Sequence, residues 1–433
     1  MTWRASTWGD EISLEYGKAL RGYESARGPV RVFGSNGPVG WTDKALAAGP
    51  GVILGRKGAY RGVQYSEADF FVIDTAYYVV PKTDLDMRWL YYAIQHHKLG
   101  EIDDGSPIPS TTRAAVYVRE LDVPPKDVQR EMARILGSVD DKIAINRRIN
   151  QTLEAMAQAI FKSWFVDFDP VKAKIAAKQE GRDPLRAAMT TISGKPDAEL
   201  DALPPEQYEQ LAATAALFPD EMEEAELGEI PKGWEVSCIS QFGDVVCGKT
   251  PSKANPEYFG EGIPFIKIPD MHNSMYVVSP SERLTALGAA SQAKKTIPSG
   301  SICVSCIATV GKVVITHEST QTNQQINSIV PKLSQYTAYL YFQMKEKEKE
   351  FHDLASGGSA TLNMNTSTFS KVSVLMPSVE ILTKFSVLMA PLLSEILLRQ
   401  KESASLSETR DTLLPKLLSG ELSVADVTSE VSI

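Results

Sequence analysis

Residues 126–165 read KDVQREMARILGSVDDKIAINRRINQTLEAMAQAIFKSWF, and their pattern decides the fold. Apolar side chains recur at spacings of three and four, at Val128, Met132, Ile135, Val139, Ile149, Leu153, Met156 and Ile160. This is the period of a coiled coil or helical bundle, interrupted at Lys142 and Asn146. A continuous helix over 126–165 measures about 60 Å, which is more than one small domain can bury. The helix therefore needs a partner.

The second half of the chain offers a partner with the same register. Its apolar positions are Ile381, Phe385, Leu388, Leu392, Leu406, Leu413 and Leu417. Gly137-Ser138 and Ala390-Pro391 occupy equivalent positions, so we expect a kink in both helices. An alternative stays open, in which two separate amphipathic helices each lie on their own domain.

The two halves of the chain are also similar to each other. A shift of 253 residues brings Pro124 onto Pro377 and Ile143 onto Ile396, and a shift of 250 brings 90–92 onto 340–342. Gly105-Ser106 likewise falls on Gly358-Ser359 and Leu153 on Leu406. A period this long indicates duplicated domains, because solenoid repeats run about 20 to 50 residues.

Each half begins with a mixed α+β region and continues into the long helical pattern. We expect strands at 51–54, 70–73, 77–80, 264–268, 301–307, 312–316 and 326–330, and a helix at 87–99. The expected divisions are domain one (1–125), the first long helix (126–170), a Pro-containing connector (171–230), domain two (231–377), the second long helix (378–420) and a tail (421–433). Short helices are expected within the connector at 172–178 and 206–217.

The charge of the chain is unevenly distributed. Lys and Arg total 45 against 54 Asp and Glu, which gives a net charge of −9 and by itself argues against a nucleic-acid binder. The connector 171–230 carries seven of these net negative charges, so the two domains are nearly neutral and DNA remains a candidate ligand. The four cysteines lie in the second half, which favours a reducing, cytoplasmic setting. The apolar run 387–398 is shorter than the about 20 residues that a membrane span needs, so we expect no membrane association.

No catalytic or metal-binding constellation emerges from the sequence. GDVVCGKT at 243–250 matches the phosphate-binding pattern G-x4-G-K-[ST], and a nucleotide-hydrolysing enzyme built on it is the second hypothesis. Pro251 follows at once, where a true phosphate loop opens a helix. Cys303 and Cys306 are expected to be buried structural thiols rather than half of a zinc site. A purely structural scaffold is the third hypothesis.

Several loops combine cations, amides and hydroxyls, the groups that contact phosphates and base edges. In the first half the candidate DNA-binding residues are Ser35, Asn36, Arg56, Lys57, Tyr60, Arg61, Thr111, Thr112 and Arg113. In the second half they are Lys249, Thr250, Ser252, Lys253, Lys267, Asn363 and Asn365, the last two within the loop 359–366. Ordinary polar turns have the same composition, but such loops occur at corresponding places in both halves.

With these motifs in order, the chain resembles the specificity subunit of type I restriction-modification enzymes over nearly its whole length. The motifs are FGSNGPVG (33–40), VILGRKG (52–58), LDVPP (121–125), AIFKSWF (159–165), GEIPKGW (228–234), GKTP (248–251), NQQIN (323–327) and LPKLLSG (414–420). The resemblance implies an α+β fold with two duplicated target-recognition domains, separated by two long antiparallel helices. It also implies that GKTP does not bind a nucleotide.

The same resemblance implies a function and a set of partners. Each domain is expected to read one half of a bipartite double-stranded DNA target, with the helices setting the unread spacer. The subunit is expected to be non-catalytic and to bind no cofactor. Two modification subunits would use S-adenosylmethionine to methylate adenine, and two restriction subunits would use ATP and Mg²⁺. Phe161, Trp164 and Phe165 are expected to form docking surface for these partners.

Overall fold

We analysed a computed structural model, which describes residues 3–103, 105, 109–226, 228–356 and 362–431. The chain divides into two compact units. The first comprises residues 1–144 together with 405–433, and the second comprises residues 145–404. Each unit therefore contains one α+β domain and a segment of each long helix.

The first domain is built from two sheets and a short strand pair. Its elements are β1 (Arg4–Thr7), α1 (Trp8–Glu11), β2 (Ile12–Tyr16), β3 (Val30–Gly34), β4 (Gly37–Thr42), β5 (Gly51–Gly55), β6 (Val63–Ser66), β7 (Phe70–Val72), β8 (Ala76–Pro81), α2 (Met87–His96), α3 (Arg113–Tyr117) and β9 (Glu120–Val123). The four-stranded sheet has the order β2-β8-β5-β6, the three-stranded sheet has the order β4-β3-β7, and β1 pairs with β9.

Local sequence explains these elements. β5 is an apolar run between two glycines, and all five of its residues are buried in the sheet. α2 is capped by Asp86, whose carboxylate accepts hydrogen bonds from the amides of Arg88 and Trp89. The buried face of α2, including Trp89 and Leu90, joins the core of the first unit.

The first long helix and the connector follow. The elements are α4 (Lys126–Phe165), α5 (Asp169–Gln179), α6 (Pro184–Ser193), α7 (Asp197–Leu200), α8 (Pro205–Ala216), β10 (Met222–Ala225) and β11 (Gly228–Pro231). The helix expected over 126–165 is confirmed and runs unbroken through Gly137-Ser138. The two expected connector helices are present as α5 and α8, and the described connector also contains α6 and the short α7. Met189, Leu200 and Ala215 give the connector a small apolar core of its own.

The second domain repeats the topology of the first. Its elements are β12 (Glu235–Cys238), α9 (Ile239–Phe242), β13 (Gly243–Cys247), β14 (Phe259–Ile266), β15 (Arg283–Leu284), α10 (Ala286–Ala290), β16 (Ile302–Ser305), β17 (Val313–Ile315), β18 (Gln321–Thr322), β19 (Ile326–Pro331), α11 (Tyr336–Glu346), α12 (Glu348–Ala355), α13 (Thr366–Ser370) and β20 (Ser373–Met376). The sheets have the orders β13-β19-β16-β17 and β15-β14-β18, and β12 pairs with β20. Strand for strand this matches the first domain, so the predicted duplication is confirmed.

The chain ends with α14 (Val379–Leu418) and α15 (Val424–Val431). In the first unit the beginning of α4 packs against the end of α14, where Leu136 and Leu417 share a core. Arg410 there donates a hydrogen bond to Asp140 at 2.7 Å. The beginning of α4 thus meets the end of α14, which is an antiparallel pairing.

The second unit has the same antiparallel arrangement. Asn146 on α4 contacts Glu402 on α14, whereas Phe161 lies 6.1 Å from Phe385 between ring centroids. Residue numbers on α14 fall as those on α4 rise. The alternative in which each long helix lies only on its own domain is therefore wrong, because the two helices contact each other in both units.

α14 also runs unbroken, through Ala390-Pro391. Among the described residues it is the one helix long and apolar enough to cross a membrane by length and composition. One face of this helix, including Ile381, Phe385 and Met389, is buried in the core of the second unit. Packing against α4 and the second domain accounts for the apolar composition of that face.

Candidate nucleic-acid interface

Four loops of the first domain converge and are tied together by hydrogen bonds. They comprise residues 34–37, 56–62, 73–75 and 109–112. The Ser35 hydroxyl donates to the carbonyl of Thr75 at 2.6 Å and accepts from the amide of Lys57 at 3.3 Å. The amide of Thr111 donates to the carbonyl of Arg56 at 2.9 Å. These bonds hold side chains from distant parts of the sequence beside one another.

This loop cluster presents one large aromatic side chain and several polar ones to solvent. Tyr60 is 78% exposed, and Asn36 and Lys57 are also exposed. An exposed aromatic ring beside an amide and a cation can stack on a base or contact the DNA backbone. These three predicted residues are therefore available to a ligand.

Arg56 of the cluster and Arg113, which directly follows the loop 109–112, share one tyrosine. The guanidinium carbon of Arg56 lies 4.8 Å from the ring centroid of Tyr16, and that of Arg113 lies 4.2 Å from it. Arg56 also donates to the carbonyl of Asp74 at 3.1 Å. Arg113 has the carboxylate of Glu15 at 3.6 Å. Both arginines are half-buried, and the Arg113 side chain is 35% exposed.

Three of the predicted residues have structural roles instead. The Arg61 guanidinium donates to the carbonyls of Gly58, Gly100 and Ile102 at 2.7, 2.8 and 3.1 Å. These hydrogen bonds use the guanidinium to hold the backbone of the loop 56–62 in place. The prediction that Arg61 contacts DNA is therefore not supported. Thr111 is fully buried, so its predicted contact with DNA is wrong.

Thr112 caps the first turn of α3. Its hydroxyl accepts a hydrogen bond from the amide of Ala115 at 3.3 Å. The same position in the second domain is Asn365, which caps α13 by accepting from the amide of Thr368 at 2.9 Å. Helix capping explains why a hydroxyl or amide side chain stands at each position.

The second domain brings an equivalent set of loops together. The amide of Lys249 donates to the carbonyl of Thr322 at 2.9 Å, and the Thr250 hydroxyl donates to Oε1 of Gln324 at 2.7 Å. The amide of Met364 donates to the carbonyl of Cys306 at 2.9 Å. The candidate loops 249–253 and 362–366 are thus held against the β18–β19 turn and the β16–β17 loop, whereas 359–361 lie outside the described residues.

The second cluster presents fewer cations than its composition suggests. The side chains of Lys249, Ser252, Lys253 and Asn363 are exposed. Lys267 forms an ion pair with Glu282 at 3.1 Å, which neutralises it. Amides and hydroxyls therefore account for much of this surface.

The β5–β6 and β16–β17 loops have the same backbone but opposite surfaces. Gly58 and Ala308 take equivalent left-handed conformations, with φ of 108° and 62°. Tyr60 is 78% exposed, whereas its counterpart Val310 is completely buried. The duplication thus preserves the framework, and the cation-rich loop belongs to the first domain.

The phosphate-loop alternative does not fit the backbone. Residues 243–247 form β13, a strand paired with β19. In the fully described stretch 228–356, the chain after Thr250 passes through turns to a 3-10 helix at Pro256–Tyr258. Lys249 therefore does not precede a helix whose amino terminus could receive phosphates. The motif is a strand followed by a turn.

Cys303 and Cys306 behave as buried apolar groups. Burial raises the pKa of the Cys303 thiol to about 12 and that of Cys306 to about 11, so both are protonated at neutral pH. Among the described residues no group of three His, Cys, Asp or Glu side chains could hold a metal ion.

The aromatic cluster at the end of α4 is core and not surface. Phe161, Trp164 and Phe165 are 0%, 2% and 4% exposed. Their rings pack against Phe385 of α14 with centroid distances of 5.0 to 6.1 Å. The prediction that these side chains dock a partner is wrong, because the helix pair and the second domain already cover them.

The sequence did not single out Tyr16 and Gln324. Tyr16 ends β2 opposite Tyr77, and it lies far in sequence from the arginines it contacts. Gln324 lies in the NQQIN motif, and its hydrogen bond to Thr250 could not be inferred from spacing. One sequence feature could have identified these two residues. It is an aromatic or amide side chain at the end of a strand, next to a loop rich in hydroxyls or cations.

Comparisons with known proteins agree with this architecture. The family model described as the type I restriction modification DNA specificity domain matches residues 28–155 and 231–406. The type I restriction enzyme HindI specificity subunit of Haemophilus influenzae is 43% identical over 378 residues, 82% of this chain and 82% of that protein. The MjaIX specificity subunit of Methanocaldococcus jannaschii is 35% identical over 163 residues, 37% and 38% of the two chains. The crystal structure of a type I system S subunit from M. genitalium, at 15% identity, has a TM-score of 0.56 over 96% of both chains and so shares the fold.

Proposed function

Because the chain belongs to the family of type I restriction-modification DNA specificity subunits, we propose that it selects the DNA target of a type I restriction-modification complex. Each domain reads one half of a bipartite sequence in double-stranded DNA. The observation that carries this proposal is the repeated loop cluster, built twice on the same strand order. Each cluster offers exposed donors and acceptors that can reach base edges and phosphates.

The two long helices support the division of the target into two half-sites. α4 and α14 each contain 40 residues, and their antiparallel contacts include the buried Asn146 and the ion pair between Arg410 and Asp140. Polar contacts of this kind fix the register of a helix pair. A fixed register would keep the number of unread base pairs between the half-sites constant.

The chain is a recognition component and leaves catalysis to partners. Two modification subunits bind S-adenosylmethionine and methylate adenine, and two restriction subunits bind ATP and Mg²⁺. The two domains are nearly neutral, which gives little attraction to phosphates, so these partners supply much of the DNA affinity. The complex acts in the cytoplasm, where its DNA substrate is found.

Exposed apolar side chains of the long helices form the docking surface for these partners, in place of the buried cluster at Phe161. The exposed fractions are 53% for Ile145, 50% for Met156, 67% for Val387 and 62% for Leu398. Large apolar side chains left in water at mid-helix positions are typical of a surface that a partner covers.

Single-molecule sequencing of adenine methylation tests the proposal. The chain is expressed together with its modification subunits in a host that lacks other adenine methyltransferases. We expect one bipartite motif to be methylated throughout the genome, and no such motif when the chain is omitted. A motif that persists without the chain, or no bipartite motif with it, would contradict the proposal. Modification subunits with a different specificity subunit are the matched control.

A further inference from the structure

The first domain holds two positive charges on one aromatic ring. The guanidiniums of Arg56 and Arg113 lie 4.8 and 4.2 Å from the centroid of Tyr16, and 5.8 and 6.0 Å from that of Tyr77. Two like charges in such proximity repel each other. The carboxylate of Glu15 lies 3.6 Å from Arg113 and is 42% exposed. Water therefore screens this ion pair, and it compensates the two cations poorly.

Both guanidiniums retain donors for a ligand. In the part of the chain that the structure describes, the guanidinium of Arg56 donates to one acceptor, the backbone carbonyl of Asp74. Arg113 has the long ion pair with Glu15. Each planar fork is nonetheless held in place, because the ring of Tyr16 limits its movement. An oriented fork with unused donors is suited to a planar ligand that offers two acceptors side by side.

The second domain lacks this arrangement at the equivalent positions. In the first domain Tyr16 pairs with Tyr77, and the equivalent pair in the second domain is Cys247 with Asn327. The aromatic ring on which the arginines stack therefore has no counterpart at this pair. By the offsets of the two repeats, Cys306 and Thr366 stand where the first domain has the arginines. Exposed amides lie nearby, at Gln324 and Asn363, and the exposed cations of this cluster are the lysines Lys249 and Lys253, which lack a planar fork. The two domains thus differ in the chemistry of one matched site.

Guanine presents O6 and N7 in the major groove as two neighbouring acceptors, and arginine is the side chain that most often contacts both. Adenine presents N7 and a donor, which match the amide of Asn or Gln. A phosphate also accepts both donors of a guanidinium fork, but phosphates are the same in every half-site, whereas the two domains differ in the chemistry of this matched site. The oriented forks therefore favour a base edge as their ligand.

We propose that Arg56 and Arg113, positioned by Tyr16, read guanine in the half-site of the first domain, and that the second domain reads its half-site through amides. This inference rests on the proposed function, because it assumes that each loop cluster faces one half-site. Arg56 and Arg113 contact the base, whereas Tyr16 acts through them as a positioning residue.

The test uses the chain assembled with its modification subunits and the bipartite motif established for the wild type. Methylation rates are measured on duplexes in which each G·C pair of the first half-site is replaced in turn. In the wild type, at least one replacement should reduce the rate about 5- to 150-fold. Arg56→Lys and Arg113→Lys keep the charge but lose the fork, so at least one of them should abolish that discrimination and leave the second half-site read as before.

Tyr16 provides the matched pair of variants. Tyr16→Phe keeps the ring and should retain discrimination, whereas Tyr16→Leu removes the ring and should relax it at the same base pair. Unchanged selectivity in the second half-site shows that each variant is folded and assembled.

Two results would overturn the inference while leaving the proposed function intact. One is a first half-site that contains no G·C pair. The other is a set of lysine variants that keep full discrimination and only weaken binding to every sequence, as expected for a phosphate contact. Failure of the proposed function is recognised separately, because the wild-type complex would then methylate no bipartite motif.

Discussion

Replacing Asn146 by alanine removes the polar centre of the helix pair in the second unit. The Asn146 side chain is completely buried, donates to Glu402 at 2.8 Å and accepts from Arg399 at 3.1 Å. Each hydrogen bond to a charged group contributes about 1.5 to 3 kcal/mol. Because Arg399 and Glu402 are 26% and 40% exposed, water replaces part of the loss, and we take about 3 kcal/mol for both bonds. Alanine has a higher helix propensity than asparagine, which offsets about 0.5 kcal/mol of this loss. The expected decrease in the stability of the helix pair is about 2.5 kcal/mol.

Asn150→Ala is the matched control, since it makes the same chemical change one turn further along α4. Among the described residues the Asn150 side chain makes one hydrogen bond, to the carbonyl of Ile396 at 3.3 Å, which contributes about 1 kcal/mol. The higher helix propensity of alanine again offsets about 0.5 kcal/mol, so the expected decrease in stability is about 0.5 kcal/mol. The two variants should therefore differ by about 2 kcal/mol, which is about 30-fold in an opening equilibrium.

Amide hydrogen exchange, followed by mass spectrometry on peptides covering 143–150, measures this equilibrium locally. Exchange in Asn146→Ala should be about 30-fold faster than in Asn150→Ala. Equal exchange in the two variants, or wild-type protection in Asn146→Ala, would refute the reasoning. It would mean that the polar contacts do not stabilise the helix pair.

Further expectations concern the core, the GKTP motif and acid stability. Phe161→Ala should destabilise the second unit by about 3 to 5 kcal/mol in urea unfolding, whereas Met156→Ala, at a half-exposed position, should leave unfolding unchanged and weaken binding of the modification subunits. The wild-type chain and Lys249→Ala should both lack ATP turnover, and turnover lost in the variant would contradict the assignment of residues 243–247 to a strand. Burial opposes ionisation of Glu11, but hydrogen bonds, chiefly from Arg4, lower its pKa from 4.5 to about 2. Its stabilising effect is present above pH 4.5 and is lost as the pH falls towards 2, so Glu11→Gln should flatten the dependence of the urea midpoint on pH in that range.

The helices and strands could be predicted from the sequence, because the spacing of apolar residues reflects which side chains are buried. The spacing from Val128 to Ile160 predicted one continuous helix, and α4 has the expected bounds. The short apolar runs at 51–54 and 326–330 predicted strands that occupy matching positions in the two domains. The offset of about 250 residues predicted the duplication, since equivalent strands retain buried side chains of similar type.

The roles of individual side chains were less accessible, because they depend on contacts between distant residues. Arg56 and Arg61 lie in the same loop, yet Arg61 is held by carbonyls about 40 residues away and Arg56 by Tyr16. An aromatic residue such as Phe161 occurs both in docking surfaces and in cores. Only its contact with Phe385 shows that it belongs to a core. The β5–β6 and β16–β17 loops differ in the same way, since Tyr60 is exposed whereas its counterpart Val310 is buried.

The central claim is that two domains read separate half-sites and that α4 and α14 set the distance between them. Insertion of four helix-forming residues after Ala144 and again after Ala404 tests it most directly, because each long helix passes from one compact unit to the other at these points. Four residues add about 6 Å to each helix, which corresponds to one or two base pairs. Methylation sequencing of a host expressing this variant should find both half-sites unchanged and the spacer between them longer by that amount. A methylated motif with the original spacer would contradict the account.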